Sequence, residues 1–205
     1  MFKAHKLPSV LTVLLFVSSC ATTKLTSTWK DADYTGGNFK SVLIVGAAEK
    51  LTDRIRFEDA FVKQFQAIGM DAFSSFSVTS PNKAVDKDTI KAAAEKMGVA
   101  AVLVTHLIGV EKKDVYVPPI SHPVPYGSRY QFENYYRSVI DYVHVPGYTT
   151  QQEYVTLESN LFDARTEKMI WSATSETFEP NSIKEVIDSL SKVVIKSLRE
   201  YQLIQ

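Results

Sequence analysis

One cysteine, four histidines and a loop opening on glycine are the groups in this 205-residue chain from which chemistry could be built. Cys20 has no second thiol, so neither an intramolecular disulfide nor a cysteine-based zinc site can form. His106 lies in an apolar run and is expected to be a hydrogen-bonded core histidine. His122 and His144 fall in a proline-rich region, with Asp141 three residues before His144. Neither has the i, i+4 spacing of a helical metal pair, so surface histidines and no metal are expected. Gly46-Ala47-Ala48-Glu49-Lys50-Leu51-Thr52 sits where a phosphate-binding loop would. It lacks the second glycine and the Gly-Lys-Ser/Thr ending that hold phosphates. No Gly-x-Ser-x-Gly elbow supports a hydrolase serine. Asp53, Glu58 and Asp59 read as the solvated face of a helix rather than an acid/base pair. The expectation is a non-enzyme without cofactor.

The elements that position Cys20 are clearer. Lys3 and Lys6 form a basic head, and residues 7–16 form an apolar run broken by Pro8, Ser9 and Thr12. Such a segment is a secretory signal, too short to span a membrane. Its end, Val17-Ser18-Ser19-Cys20, resembles the lipobox of bacterial lipoproteins. The resemblance implies a diacylglyceryl group on the Cys20 thiol, removal of residues 1–19, and acylation of the new amine. Two or three chains anchor stably where one does not. In Gram-negative lipoproteins an Asp after the cysteine retains the protein at the inner membrane. Ala21 stands there instead, which implies the periplasmic face of the outer membrane. The other reading is an ordinary signal peptide.

Removing residues 1–19 takes away two lysines and no acid. It leaves 21 basic and 23 acidic residues of the original 23 and 23, a formal net charge of −2. That balance offers no attraction to nucleic acid. A hydrophobic content of 45% is ample for one domain's core.

Residues 20–40 read as a lipidated cysteine and tether, with Trp29, Tyr34 and Phe39 suggesting that its later half lies on the domain. Residues 41–205 read as a single α/β domain. Residues 41–46 are a continuous β-branched run ending in Gly46, suited to a central strand. Thr52 is expected to cap a helix with Asp53 in its first turn and Phe57, Phe61, Phe65 and Ile68 on one face. Residues 70–78 suggest a weaker strand near an edge. A second helix begins at Asp86 or Asp88, lines its inner face with Ile90, Ala93, Ala94 and Met97, and stops at Gly98. Residues 99–110 are a second apolar strand. Residues 153–163 and 169–178 alternate on either side of a turn, predicting an antiparallel hairpin. Ser182 and Glu185 predict a capping box opening a long closing helix. The order predicts an α/β fold. Its mixed sheet starts parallel (β-α-β-α-β), ends in an antiparallel hairpin, and carries packed helices and a long C-terminal helix.

Residues 111–152 read as an insertion of a different kind. They hold five of the eight prolines and seven of the ten tyrosines. Outside residues 138–145 they look too proline-rich for a central strand. Tyrosine gives contact area at low entropy cost, and proline pre-stiffens the chain. Tyr126, Tyr130, Tyr135 and Tyr136, with Arg129 and Arg137 beside them, are therefore the candidate partner-binding residues. The alternative is an extended hairpin whose tyrosines cover a sheet edge or the tether.

Thr28-Trp29-Lys30-Asp31, residues 42–46 and the stretch Leu161-Phe162-Asp163-Ala164-Arg165-Thr166-Glu167-Lys168-Met169-Ile170-Trp171-Ser172 resemble an uncharacterised bacterial outer-membrane lipoprotein family. The last stretch is also similar to the hairpin of the TolB amino-terminal domain, the curli-secretion lipoprotein and the activator lipoproteins of penicillin-binding proteins. Glu167 stands where those proteins have glycine. The resemblance implies an α/β domain that works through protein contacts and has no catalytic residues. The function expected is a lipid-anchored periplasmic interaction or assembly module. Its partners would be the membrane, through the lipid, and an envelope protein or a second copy. The rival is a small-ligand or envelope-polymer binding protein using the tyrosine-rich loop.

Overall fold

The computed structural model describes residues 22–78, 86–122 and 143–205. The strands are β1 (Thr22–Lys30), β2 (Ser41–Ala47), β3 (Asp71–Ser74), β4 (Ala101–Val117), β5 (Ile120–His122), β6 (Val143–Val145), β7 (Tyr148–Asp163) and β8 (Met169–Phe178). The helices are α1 (Leu51–Ala67), α2 (Ser75–Val78), α3 (Lys87–Met97) and α4 (Ile183–Glu200). Six strands form one mixed sheet in the order β1-β8-β7-β4-β2-β3, and β5 pairs with β6 separately. β3-β2-β4 is parallel, while β4-β7, β7-β8 and β8-β1 are antiparallel. The fold is the expected α/β class.

Burial follows the sequence pattern. β2 is apolar on both faces because both are covered. Val42 and Ile44 join Phe57, Phe61, Phe65, Leu190, Val194 and Leu198 in the core beneath α1 and α4. Leu43 and Val45 join Ala93, Ala94, Val99 and Val102 on the other face, beneath α3. Gly98 ends α3 in a left-handed conformation, φ 62°, which glycine adopts without steric cost. Asp86 is the α3 N-cap, accepting from the Thr89 backbone N–H at 2.7 Å. Ser182 caps α4, accepting from the Glu185 N–H at 3.2 Å, while the Glu185 carboxylate accepts from Asn181.

Several expectations are corrected. Residues 22–30 are not tether. They form an edge strand paired antiparallel with β8, from Thr22 opposite Phe178 to Lys30 opposite Trp171. Thr52 does not cap α1: Lys50 is the N-cap, without a side-chain hydrogen bond, and its carbonyl takes the Asp53 and Arg54 N–H groups. The chain turns at residues 48–50, so the helix begins one residue before the hydroxyl could reach back. The strand expected over 70–78 stops at Ser74 and passes into the short helix α2. Most important, β4 runs on to Val117 and β7 begins at Tyr148, so much of the expected insertion is strand. The prolines flank these strands: Pro118 and Pro119 follow β4, and Pro146 lies between β6 and β7.

The β7–β8 turn keeps a glycine-like backbone without the glycine. Glu167 has φ 59°, and its N–H bonds the Asp163 carbonyl at 2.9 Å. The Asp163 carboxylate accepts from the backbone of Arg165 and Thr166. Glu167 in turn pairs with Lys91 at 2.7 Å and Lys87 at 2.9 Å, tying the turn to α3. These lysines hold its carboxyl down from 4.5 to about 2, the Lys91 hydrogen bond contributing most, and the Lys91 ammonium is held correspondingly high.

Two predictions follow from these contacts. Phe61 is fully buried and stacks on Phe57 and Phe65 with centroids 4.3 and 6.4 Å away. Phe61→Ala should cost about 3–5 kcal/mol in urea unfolding; a loss below about 1 kcal/mol would contradict this packing. A carboxyl held low when folded adds stability above its unfolded pKa and loses it as pH falls through the folded one. The wild type should therefore melt above Glu167→Gln at neutral pH and low salt. That advantage should disappear as pH drops from 4.5 to about 2. Identical pH profiles for the two chains across that window would dismiss the interaction; the pair is exposed, so salt should weaken it.

Candidate functional site

The longest strands build the most exposed feature. β2 accompanies β4 only to the pair Ala47–His106. Past that point β4 pairs with β7 alone on one side, down to Val117 opposite Tyr148. Among the described residues no strand covers its other side. β8 accompanies β7 only as far as Tyr154 opposite Phe178. What remains is a two-stranded arm of residues 111–117 and 148–153, continued by β5 and β6. Its base is braced by aromatic contact. Tyr154 packs on Phe178 at 5.2 Å, and the Lys113 ammonium sits 4.7 Å from the Tyr154 ring centre. Lys112–Glu153 and Lys113–Glu111 pairs run along it at 3.6 and 3.3 Å. Large apolar and aromatic side chains stand open: Leu107, Ile108 and Val110 at its root, Tyr116 (63% exposed) and Tyr148 (55%) further out, and Ile120 beyond. The Tyr116 ring lies over the start of β7: a Cβ added at Gly147 would stand 2.3 Å from its hydroxyl.

The candidate residues Tyr126, Arg129, Tyr130, Tyr135, Tyr136 and Arg137 lie outside the described residues, as does Cys20. The strands leading to residues 123–142 are the arm itself. The backbone of His122 belongs to β5 and that of His144 to β6, where they stand at adjacent rungs. His106 is not in the core. Its side chain is 42% exposed, with Nε2 3.9 Å from Glu158, because it lies where β2 ends. Among the described residues no three His, Cys, Asp or Glu converge as metal ligands.

Glu58 overturns the reading of a solvated helix face: it is fully buried. Its Oε1 accepts from the Gly46 N–H (3.0 Å), Arg54 Nε (2.9 Å) and the Ser75 hydroxyl (2.7 Å). Its Oε2 accepts from the Ser74 hydroxyl and the Phe76 N–H, both at 2.7 Å. Arg54, 4% exposed, also donates to Ser75 at 2.7 Å. Gly46 can approach because a Cβ there would meet the Phe57 ring at 2.9 Å. This carboxylate sits at the carboxyl ends of β2 and β3, near where parallel sheets often bind ligands. Its five donors are all from the protein, so it holds α1, α2 and two strands together. The sequence signal for it was Arg54 four residues before Glu58. Asp53 does stay outward, pairing with Arg56 at 3.8 Å.

A groove between α1 and α4 is lined by Arg56, Asp59, Lys63, Ile183, Ile187 and Asp188 among others, and contains no tyrosine. Among the described residues no helix is long and apolar enough to cross a membrane.

No known protein family matches the sequence, and no curated protein does. Solved structures similar to this fold include the PelC dodecamer from Paraburkholderia phytofirmans, at 16% identity and TM-score 0.44, covering 90% of this chain and 99% of that one. The lipoprotein GNA1162 from Neisseria meningitidis is similar at 15% identity and TM-score 0.41, covering 78% and 98%. A PDZ domain protein from Parabacteroides distasonis is similar at 9% and 0.36, covering 89% and 37%. Likeness at this level does not extend to function.

Replacing Glu58 by Gln turns an all-acceptor group into one that sets an NH2 against donors. It also removes the negative charge that stands 2.9 Å from the buried Arg54 guanidinium. Glu58→Gln should destabilise by about 3–5 kcal/mol, read as a lower urea midpoint with an unchanged slope. A shift below about 1 kcal/mol would show that the network is dispensable.

Proposed function

We propose that this chain is a lipid-anchored lipoprotein of the bacterial cell envelope, held through Cys20 at the periplasmic face of the outer membrane. It works as a non-enzymatic interaction or assembly module on an envelope protein or a second copy of itself. The observation that carries the interaction role is the arm. Two strands leave the sheet with Leu107, Ile108 and Val110 exposed at their root. A two-stranded ribbon gains little from itself, and apolar side chains gathered on such a projection mark a contact surface. The basic head, the short apolar run and the single cysteine support the anchor. A formal net charge near zero gives no reason for a nucleic-acid partner.

Two measurements test this. Cells fed a fatty-acid analogue should label the wild-type chain and not Cys20→Ala; equal labelling would end the anchoring claim. A chain with Tyr126, Tyr130, Tyr135 and Tyr136 changed to Ser should keep its melting temperature and lose its crosslinks in intact cells. An unchanged crosslink pattern in that folded chain rules out the tyrosine-rich loop as the contact. Loss of folding would make those tyrosines structural.

A further inference from the structure

The arm and the N-terminus leave the sheet at the same end. Thr22 stands opposite Phe178, Phe178 opposite Tyr154, and Tyr154 opposite Glu111, one rung across four strands. Cys20 is two residues before Thr22, a reach of about 7 Å when extended. The arm continues beyond this rung from Lys112 to Val117, about 20 Å at strand rise. If the chain is anchored as proposed above, on which this inference rests, the arm is directed at the membrane that holds the anchor.

Two features decide how deep it goes. Among the described residues no strand pairs with β4 past His106 on one side. Lys112, Lys113, Asp114, Gln151, Gln152 and Glu153 also lie along the ribbon. Unpaired backbone and charges do not enter hydrocarbon. The headgroup zone takes them, and it is where tyrosine sits best, its ring in the apolar boundary and its hydroxyl in water. Tyr148 is opposite Val117, and Tyr116 is opposite Thr149, so the two tyrosines occupy opposite faces of the ribbon's end. They form a band around it.

We infer that the arm makes a second, non-covalent membrane contact, lying in the phospholipid headgroup layer at the rungs of Tyr116 and Tyr148, with the strands tilted from the membrane normal. The charges at its base are paired, Lys112 with Glu153 and Lys113 with Glu111. The contact therefore depends on the rings and not on anionic lipid.

The full lipidated chain is purified with Thr149→Cys carrying an environment-sensitive dye, the only free thiol when the Cys20 sulfur carries its diacylglyceryl group. Arg165→Cys, on the turn at the opposite end of the sheet, is the control. Both are placed in vesicles of phosphatidylethanolamine and phosphatidylglycerol containing a headgroup nitroxide. Quenching should be several-fold stronger at position 149 than at 165. It should persist in phosphatidylethanolamine–phosphatidylcholine vesicles and fall to the control level in the Tyr116→Ser, Tyr148→Ser chain. Equal quenching at 149 and 165, or quenching unaffected by loss of both tyrosines, overturns the inference. Flotation separates this from failure of the anchor. A wild-type chain that does not float with vesicles any better than Cys20→Ala refutes the anchoring itself, whereas a chain that floats without quenching at 149 refutes only the arm contact.

Discussion

A carboxylate with no access to water governs how the helical layer meets the sheet. Isolated, buried Glu58 would be strongly unfavourable. Five protein donors reach it instead, from α1, from the end of β2, and from the junction of β3 with α2. Hydrogen bonds to a charged group are short and directional. They therefore fix the rotation and height of α1 over the parallel strands, which apolar contact alone leaves looser. The stacked Phe57, Phe61 and Phe65 then fall over Val42 and Ile44, and α4 closes against the same surface. Gly46 serves both sides of this arrangement: its N–H binds the carboxylate, and its missing side chain admits Phe57.

The rest of the sheet is held differently. Where β4 and β7 run on as the arm, the described contacts are ladder hydrogen bonds, a Tyr154–Phe178 pair and exposed Lys–Glu pairs. Surface ion pairs contribute little. Stability is therefore uneven along the same two strands, high beneath α1 and α4 and low beyond the Tyr154 rung. A firmly held half joined to a loosely held ribbon is a division suited to a scaffold bearing a contact element.

The well-covered half was the legible half. The unbroken apolar run of β2, the phenylalanine stripe of α1, the 163–168 turn and the Ser182 cap each follow a local rule, and each is found. What escaped depends on partners far away in sequence. β1 reads as a polar linker, yet Thr22, Thr23, Thr26 and Thr28 have the branched Cβ that suits a strand, and β8 supplies the pairing. Glu58 reads as solvated because nothing near it in sequence shows that Ser74 and Ser75 come to meet it. Prolines at 118, 119 and 146 argue against a central strand across residues 111–152, and they stand just outside β4 and β7, which reach into that region. His106 was misplaced because its apolar neighbours do not show that β2 stops at Ala47.

The pairing of β1 with β8 also bears on the order in which the molecule assembles. The Thr23 and Thr177 hydroxyls that meet at 2.8 Å are 154 residues apart in the chain, and Thr23 also reaches Ser189 on the closing helix at 2.6 Å. Closing so long a loop costs entropy before any contact repays it. The strand that emerges first during synthesis has no docking place until β8 and α4 exist. β1 therefore cannot pair before β8 is made. A truncated chain ending before residue 169 would leave β1 with no sheet to join.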